Sequence, residues 1–268
     1  LTKYERNLFK ESKSDLDNAI KINPYYSKAY FWRGSVKQNL DLFEDAIKDY
    51  DNAIKLDPKY STALAYRGAA KDKLERYEEA IKDYDEALKL DSQNAITFNN
   101  RGLSKSKIGK YEEAIKDYDK ALKLDPKDPT LLTNRGWAKL ELEKYEEAIK
   151  DYDEALKLEP KDTTLLNNRG LAKDNLERYE EAIKDYDEAL KLEPQSATAL
   201  ASRGAAKDGL ERYEEAIKDY DEALKLDSQC VIAFNNRGLS KSKIGKYEEA
   251  IKDYDEGLKL DPKDTTLL

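Results

Sequence analysis

The sequence predicts an all-α protein built as a stack of equivalent helical hairpins. A fixed period is the first observation, because one dipeptide recurs every 34 residues, seven times: Arg33-Gly34, Arg67-Gly68, Arg101-Gly102, Arg135-Gly136, Arg169-Gly170, Arg203-Gly204 and Arg237-Gly238. A period of this length is typical of repeat proteins, in which each unit packs on its neighbours. The second observation is that each period contains two stretches with apolar residues at helical spacing.

The period that starts at Thr163 illustrates both helices. The first stretch places one apolar stripe at Leu165, Leu166, Gly170, Ala172 and Leu176. The second places another at Tyr179, Ala182, Ile183, Tyr186, Ala189, Leu190 and Leu192. Proline disfavours helical geometry in the residue before it, so Glu193-Pro194 predicts the end of the second helix. The glycine and the alanines allow close approach of neighbouring helices, and larger residues there would overpack the contact.

The pattern resembles the tetratricopeptide repeat, in a bacterial type that contains Arg-Gly. Its carriers are the glycine of Arg-Gly, the tyrosine of Tyr-Glu-Glu (Phe43 in the first unit), two alanines with an aromatic residue between them, and the closing proline. The resemblance implies an α-solenoid of antiparallel helix pairs that forms a right-handed superhelix. It also implies a concave groove, lined by the first helix of each unit, that binds a peptide or protein without catalysis.

The period divides the chain into units. Residues 1–26 are predicted to be a partial, degenerate repeat, the second helix of a truncated unit. Residues 27–264 hold seven tandem units, and residues 265–268 begin a further one. The unit borders are 27–60, 61–94, 95–128, 129–162, 163–196, 197–230 and 231–264. Because the chain begins at Leu1 and breaks off within a unit, it is interpreted as a fragment.

Composition excludes several classes of function. The chain has 48 basic and 56 acidic residues, a net charge of −8, so nucleic acid is not expected as the main partner. No apolar run is long enough to predict membrane insertion. The chain has no histidine and a single cysteine, so no catalytic residues, metal site or cofactor are predicted. A location is not assigned, although the cytoplasm is favoured.

Each unit carries an unusual set of charged residues. Arginine stands before the glycine where most such repeats have an apolar residue, and lysine follows three residues after it. An aspartate precedes the second-helix aromatic residue in every unit: Asp49, Asp83, Asp117, Asp151, Asp185, Asp219 and Asp253. One hypothesis is that each arginine pairs with one of these aspartates within or between units, forming a ladder of charge-assisted bonds. The alternative is that each arginine extends past the core to solvent.

The variable residues of the first helices are the candidate binding site. Asn100, Asn134 and Asn168 precede the arginine in successive units, and a row of amides can bind a peptide backbone whatever its sequence. A second asparagine is expected to widen the polar strip, and Trp137 is a candidate anchor for a partner side chain. The complete predicted groove is Asn99, Asn100, Asn134, Trp137, Asn167, Asn168, Asn235, Asn236, Lys107 and Lys243.

Two nearly identical stretches, 61–128 and 197–264, indicate an internal duplication. Among the few differences, Cys230 stands where the first copy has Asn94, a helix N-cap, so the second copy is expected to lack that cap. Gly257 replaces Ala121 and is expected to weaken its helix.

The favoured function is a non-enzymatic scaffold that binds a peptide or helix in the groove. The alternatives are self-association through the truncated repeat ends, and a targeting arm of a larger enzyme.

Overall fold

A computed structural model describes residues 3–261, which form fifteen α-helices and no strand. The first is α1 (Lys3–Ile22), and first and second helices of the repeats then alternate. The first helices are α2 (Ser27–Asn39), α4 (Ser61–Asp72), α6 (Ala95–Lys107), α8 (Pro129–Glu141), α10 (Thr163–Asp174), α12 (Ala197–Gly209) and α14 (Val231–Lys243). The second helices are α3 (Phe43–Leu56), α5 (Tyr77–Leu90), α7 (Tyr111–Leu124), α9 (Tyr145–Leu158), α11 (Tyr179–Leu192), α13 (Tyr213–Leu226) and α15 (Tyr247–Leu260).

The all-α repeat fold predicted from the sequence is therefore confirmed. The chain divides into two compact units, residues 1–138 and 139–268. Within each of them a helix packs on the next one in the chain, so that α2 lies on α3 and α3 on α4. The predicted repeat borders stay a prediction, and the proposed start of a further repeat at 265–268 lies outside the described residues.

The arginine's neighbour, glycine, makes room for a buried tyrosine of the second helix. In the repeat of α10 and α11, a Cβ added to Gly170 would lie 2.7 Å from Cε1 of Tyr186. Tyr186 is almost fully buried, as are Ala182 and Ala189 on the same helix. A side chain at Gly170 would therefore have to displace an aromatic ring from the core.

Each first-helix arginine joins two repeats, which is clearest at Arg203. Its Nε and Nη2 donate to both carboxylate oxygens of Asp219 in its own repeat, at 2.8 and 2.7 Å. Its Nη1 donates to Asp187 of the preceding repeat at 2.7 Å. Lys207 Nζ lies 2.7 Å from Asp219 Oδ2, so the buried Asp219 carboxylate contacts two cations. The hydrogen bond to Asp219 raises the pKa of Arg203, although partial burial opposes this shift.

The same arrangement recurs along the chain, which supports the ladder hypothesis over extension of the arginines into solvent. The bidentate pairs are Arg33–Asp49, Arg67–Asp83, Arg101–Asp117, Arg169–Asp185, Arg203–Asp219 and Arg237–Asp253. Arg135 donates to Asp119 of the preceding repeat at 2.6 Å. In α1, Asp17 accepts from Arg33 at 2.7 Å, as the second-helix aspartates do elsewhere.

The turn between the two helices of a repeat has a left-handed backbone that sequence analysis did not predict. Its residue has a positive φ at Gly109 and Gly245, where glycine adopts this conformation without steric conflict. Asp41, Glu75, Glu143, Glu177 and Glu211 occupy the same place with φ near 60°. In these repeats the turn depends on the flanking helices to hold a residue that disfavours this conformation.

Side-chain caps begin several first helices. Thr97 N donates to Asn94 Oδ1 at 2.9 Å, and Thr130 N donates to Asp128 Oδ1 at 2.8 Å, just before Pro129 in the chain's capping segment. Cys230, the counterpart of Asn94, forms no side-chain cap bond. The loss of this cap, expected from the sequence, is therefore confirmed.

We predict that Cys230→Asn stabilises the protein by about 1 kcal/mol, because asparagine can accept a hydrogen bond from the first turn of α14. The measurement is the free energy of urea-induced unfolding. Asn94→Cys is the matched control in the duplicated segment, and it should destabilise by a similar amount. A destabilised Cys230→Asn variant would contradict the assignment of the missing cap.

We predict that Arg203→Leu destabilises the protein by about 2–4 kcal/mol, because it removes the bidentate partner of the buried Asp219. Lys207 remains in place and limits the loss. The double variant Arg203→Leu/Asp219→Leu should lose less than the single variant, since no buried carboxylate is left without its partner. Urea unfolding measures both, and unchanged or higher stability of Arg203→Leu would rule out a stabilising ladder.

Candidate functional site

The predicted binding residues fall into different environments on the first helices. In the unit of residues 1–138, Asn100, Leu103 and Lys107 line a cavity of about 480 Å³ between α4 and α6. Asp72 and Ser104 lie in the same wall. Two of the predicted residues, Asn100 and Lys107, are thus brought together with an apolar side chain and a carboxylate.

Two predicted asparagines of successive repeats bond to each other. Asn134 Nδ2 donates to Asn99 Oδ1 at 2.9 Å. Since Asn99 lies on α6 and Asn134 on α8, this bond links two first helices within residues 1–138. It uses one acceptor and one donor that the sequence analysis had assigned to a partner's backbone.

The other second asparagines are less open than the expected polar strip. The Oδ1 atoms of Asn167 and Asn235 are buried. Asn235 Oδ1 lies against Gly257 of α15, at the position where an alanine methyl group would stand. The glycine therefore accommodates a neighbouring amide as well as lowering helix propensity. A role of these two residues in partner binding stays a prediction.

The remaining predicted residues are accessible. Trp137 is 41% exposed on α8, and Leu103 and Leu239, at the same repeat position, are exposed as well. Asn168 and Asn236 are half-buried, while Lys107 and Lys243 are exposed. In the unit of residues 139–268, Asn236 lines a second cavity, of about 300 Å³, that includes residues of α10, α12 and α14.

Comparison with known families decides what kind of repeat this is. Profiles described as tetratricopeptide repeat match residues 27–60, 95–128, 133–197, 167–229 and 231–264, and one described as TPR repeat matches residues 73–109. Together these ranges span most of the chain. The chain belongs to the tetratricopeptide repeat family. A search of curated proteins gives no match.

Solved structures of other tetratricopeptide repeat proteins share this fold. A tetratricopeptide repeat protein from Parabacteroides merdae is 17% identical, with a TM-score of 0.74 over 90% of this chain and 95% of that one. YrrB, described as a TPR protein with an unusual peptide-binding site, is 24% identical, with a TM-score of 0.54 over 69% of this chain and 94% of its own. At such identities the likeness shows the fold alone.

A third neighbour is a larger assembly. The Cut9-Hcn1 hetero-tetramer of the APC/C is 18% identical to this chain, with a TM-score of 0.68 over 97% of it. The alignment spans 51% of that chain. Tetratricopeptide repeats act in general as protein-interaction scaffolds, and this chain has the architecture of such a scaffold.

Other sites were sought in residues 3–261. In that range no helix combines the length and the apolar character needed to cross a membrane. Nor does the described part of the chain bring together three or more histidine, cysteine, aspartate or glutamate side chains suited to a metal ion.

A network of buried acids on the first helices was not predicted. Tyr84 Oη donates to Asp72 Oδ2 at 2.6 Å, and Ser104 Oγ of the next first helix donates to Asp72 Oδ1 at 2.7 Å. Tyr220 and Ser240 bind Asp208 in the same way, at 2.7 Å each. Burial raises the pKa of both carboxyl groups, and these hydrogen bonds oppose that shift.

Asp174 occupies the same repeat position without these partners. The serine of the other two networks stands 32 residues after the aspartate, and here that residue is Ala206. Asp174 Oδ1 and the hydroxyl of Tyr186 are both buried without a hydrogen-bond partner among the described residues. Burial raises the pKa of Asp174 to about 6. The aspartate–serine spacing in two repeats, and its absence in the third, was the sequence signal that could have revealed this difference.

We predict that Asp174→Asn stabilises the protein by about 1–2 kcal/mol at pH 7.5, a value discounted for partial exposure. Because the pKa of Asp174 is about 6 in the folded protein, above its ordinary value, folding binds its proton more tightly. The ionised carboxyl group destabilises the protein above pH 6, and this effect disappears as the pH falls towards 4. Urea unfolding at pH 7.5 and 4.5 should therefore show the gain only at the higher pH.

Asp208→Asn is the matched control for this prediction. The Asp208 carboxylate accepts hydrogen bonds from Tyr220 and Ser240, so the amide should reduce stability at pH 7.5. Equal effects of the two substitutions would contradict the distinction between a bonded and an unbonded carboxylate.

Proposed function

We propose that the chain is a non-enzymatic scaffold whose first helices bind an extended or helical segment of another protein. The observation that carries this proposal is the repeated exposure of large apolar side chains on those helices. Trp32 and Tyr66 share one repeat position, and Leu103, Trp137 and Leu239 share another. Among the described second helices before α15, the large exposed apolar residues are their final leucines: Leu90, Leu124, Leu158 and Leu226.

Such a surface suits a protein partner better than a small charged molecule. Recurrent exposed apolar residues, bordered by polar ones, mark interaction sites on many proteins. Asn100, Asn168 and Asn236 adjoin these apolar positions and offer amides to a partner's backbone. The peptide-binding site named for YrrB shows that the fold can serve this purpose in another protein.

The net charge of −8 supports the choice of partner. A chain with an acidic excess, whose first-helix arginines are engaged by aspartates, offers few cations to phosphate groups. We therefore propose a protein or peptide as partner, not nucleic acid.

The experiment selects peptides from a random displayed library and measures their affinity by fluorescence anisotropy. We predict that the triple variant Asn100→Ala/Asn134→Ala/Asn168→Ala weakens binding at least about tenfold, as expected when several backbone hydrogen bonds are lost. Asn52→Ala, at an exposed place on the second helix α3, is the control and should leave affinity unchanged. Equal affinity of the wild type and the triple variant would remove the asparagines from the site.

A second candidate function is self-association through α15. Tyr247 and Ile251 are 64% and 58% exposed on this helix, more than their counterparts in the preceding repeats. Sedimentation over a wide concentration range tests it, with Ile251→Glu as the variant. A monomer at the highest concentration would reject this candidate.

A further inference from the structure

The cavity of about 300 Å³ in residues 139–268 combines an apolar wall with unused polar atoms. Its polar lining comes from Asp174, Tyr186, Ser202 and Asn236, and Ile232 and Cys230 lie beside them. Ala201 and Ala205 of α12 contribute only methyl groups to the lining. A space of this size holds several waters or one long side chain, because one water occupies about 30 Å³.

The carboxylate in this cavity differs from its two counterparts. Asp72 and Asp208 each accept bonds from a tyrosine and a serine. In contrast, Asp174 Oδ1 and the hydroxyl of Tyr186 are buried without partners in the described part of the chain. Buried polar atoms are normally bonded, so this pair is suited to a group that the protein itself does not supply.

Cations on the adjacent helices are already engaged and cannot neutralise Asp174. On α10, Arg169 pairs with Asp153 and Asp185, and Lys173 pairs with Asp185. The two cations of α12 are paired as well, Arg203 with Asp187 and Asp219, and Lys207 with Asp219. The acid therefore faces the cavity without an ion-pair partner from these two helices.

We propose that this cavity binds the ammonium group of a primary amine, and that the natural source is a lysine side chain of the partner. An ammonium group has three donors, and the cavity offers acceptors on Asp174, Tyr186, Ser202 and Asn236. The apolar wall suits the methylene stem of lysine, which commonly lies along apolar surface while its charged end is bonded. Burial raises the pKa of Asp174 to about 6, which indicates that a cation there would be favoured.

The proposal extends the proposed function, because the cavity occupies the place where Ser202 interrupts the asparagine row. Only the identity of the lysine's owner rests on that function. The preference of the cavity for an ammonium group can be tested with a small amine and no peptide, so that the two proposals can fail separately.

Cys230 provides the readout, since it lines the cavity and is the only thiol of the chain. Its modification by the cationic reagent 2-aminoethyl methanethiosulfonate is compared with that by the neutral methyl methanethiosulfonate. The ratio of the two rates cancels changes in thiol reactivity. We expect Asp174→Asn to lower this ratio about fivefold or more, as expected when one charge close to the thiol is removed. Asp208→Asn should leave it unchanged.

Protection by n-butylamine tests occupancy directly. Millimolar n-butylamine should slow alkylation of Cys230 by iodoacetamide at least about twofold in the wild type and have no effect in Asp174→Asn, because the anion that binds it is gone. Ala206→Ser supplies the hydroxyl that bonds the other two acids and leaves every charge in place. It should also abolish protection, which distinguishes an occupied carboxylate from a misfolded variant.

Three outcomes would overturn the proposal. The first is no protection by n-butylamine in the wild type at any concentration up to the millimolar range. The second is equal protection in the wild type and Asp174→Asn. The third is stronger protection by n-butylguanidine than by n-butylamine, which would assign the cavity to a guanidinium group. If protection occurs as expected but no library peptide binds, the cavity assignment stands and the peptide-binding proposal fails.

Discussion

The guanidinium group that joins two aspartates of successive repeats is the interaction on which the structure depends. Each half of this contact would be unfavourable alone, because a buried carboxylate without a cation is strongly destabilising. Arg203 connects Asp219 of its own repeat with Asp187 of the preceding one, and Lys207 completes the neutralisation of Asp219. The glycine beside each such arginine admits the tyrosine ring, so one dipeptide fixes both the apolar and the ionic contact of a hairpin.

This arrangement separates the constant part of a repeat from its variable part. The arginine, lysine and aspartates recur because they hold neighbouring helices together. Positions on the other side of the first helix differ from repeat to repeat, as Asp174, Leu140 and Ser242 show at one such place. A change of one residue, alanine for serine at position 206, is enough to leave a carboxylate unbonded. Recognition can therefore vary in a single repeat without loss of the stack.

Sequence periodicity was sufficient to predict the helices, because both the apolar stripes and the terminating residues recur with the same spacing. It also predicted the pairing of arginine with the first aspartate and the missing cap at Cys230. The second aspartate, exemplified by Asp187, could not be assigned, since several carboxylates follow one another on each second helix and only the packing angle selects one. The bond between Asn99 and Asn134 escaped prediction for a related reason, because it depends on the rotamers of two side chains on different helices.

The reciprocal use of each arginine has a consequence for how such a chain can change in length. Aspartate occupies the same register in the described repeats, at Asp51, Asp85, Asp119, Asp153, Asp187 and Asp221. Removal or insertion of 34 residues would bring any arginine next to an equivalent carboxylate. Unequal recombination could then shorten or extend the array at many points with its ionic joints intact, and the surface available to partners would grow or shrink in fixed steps.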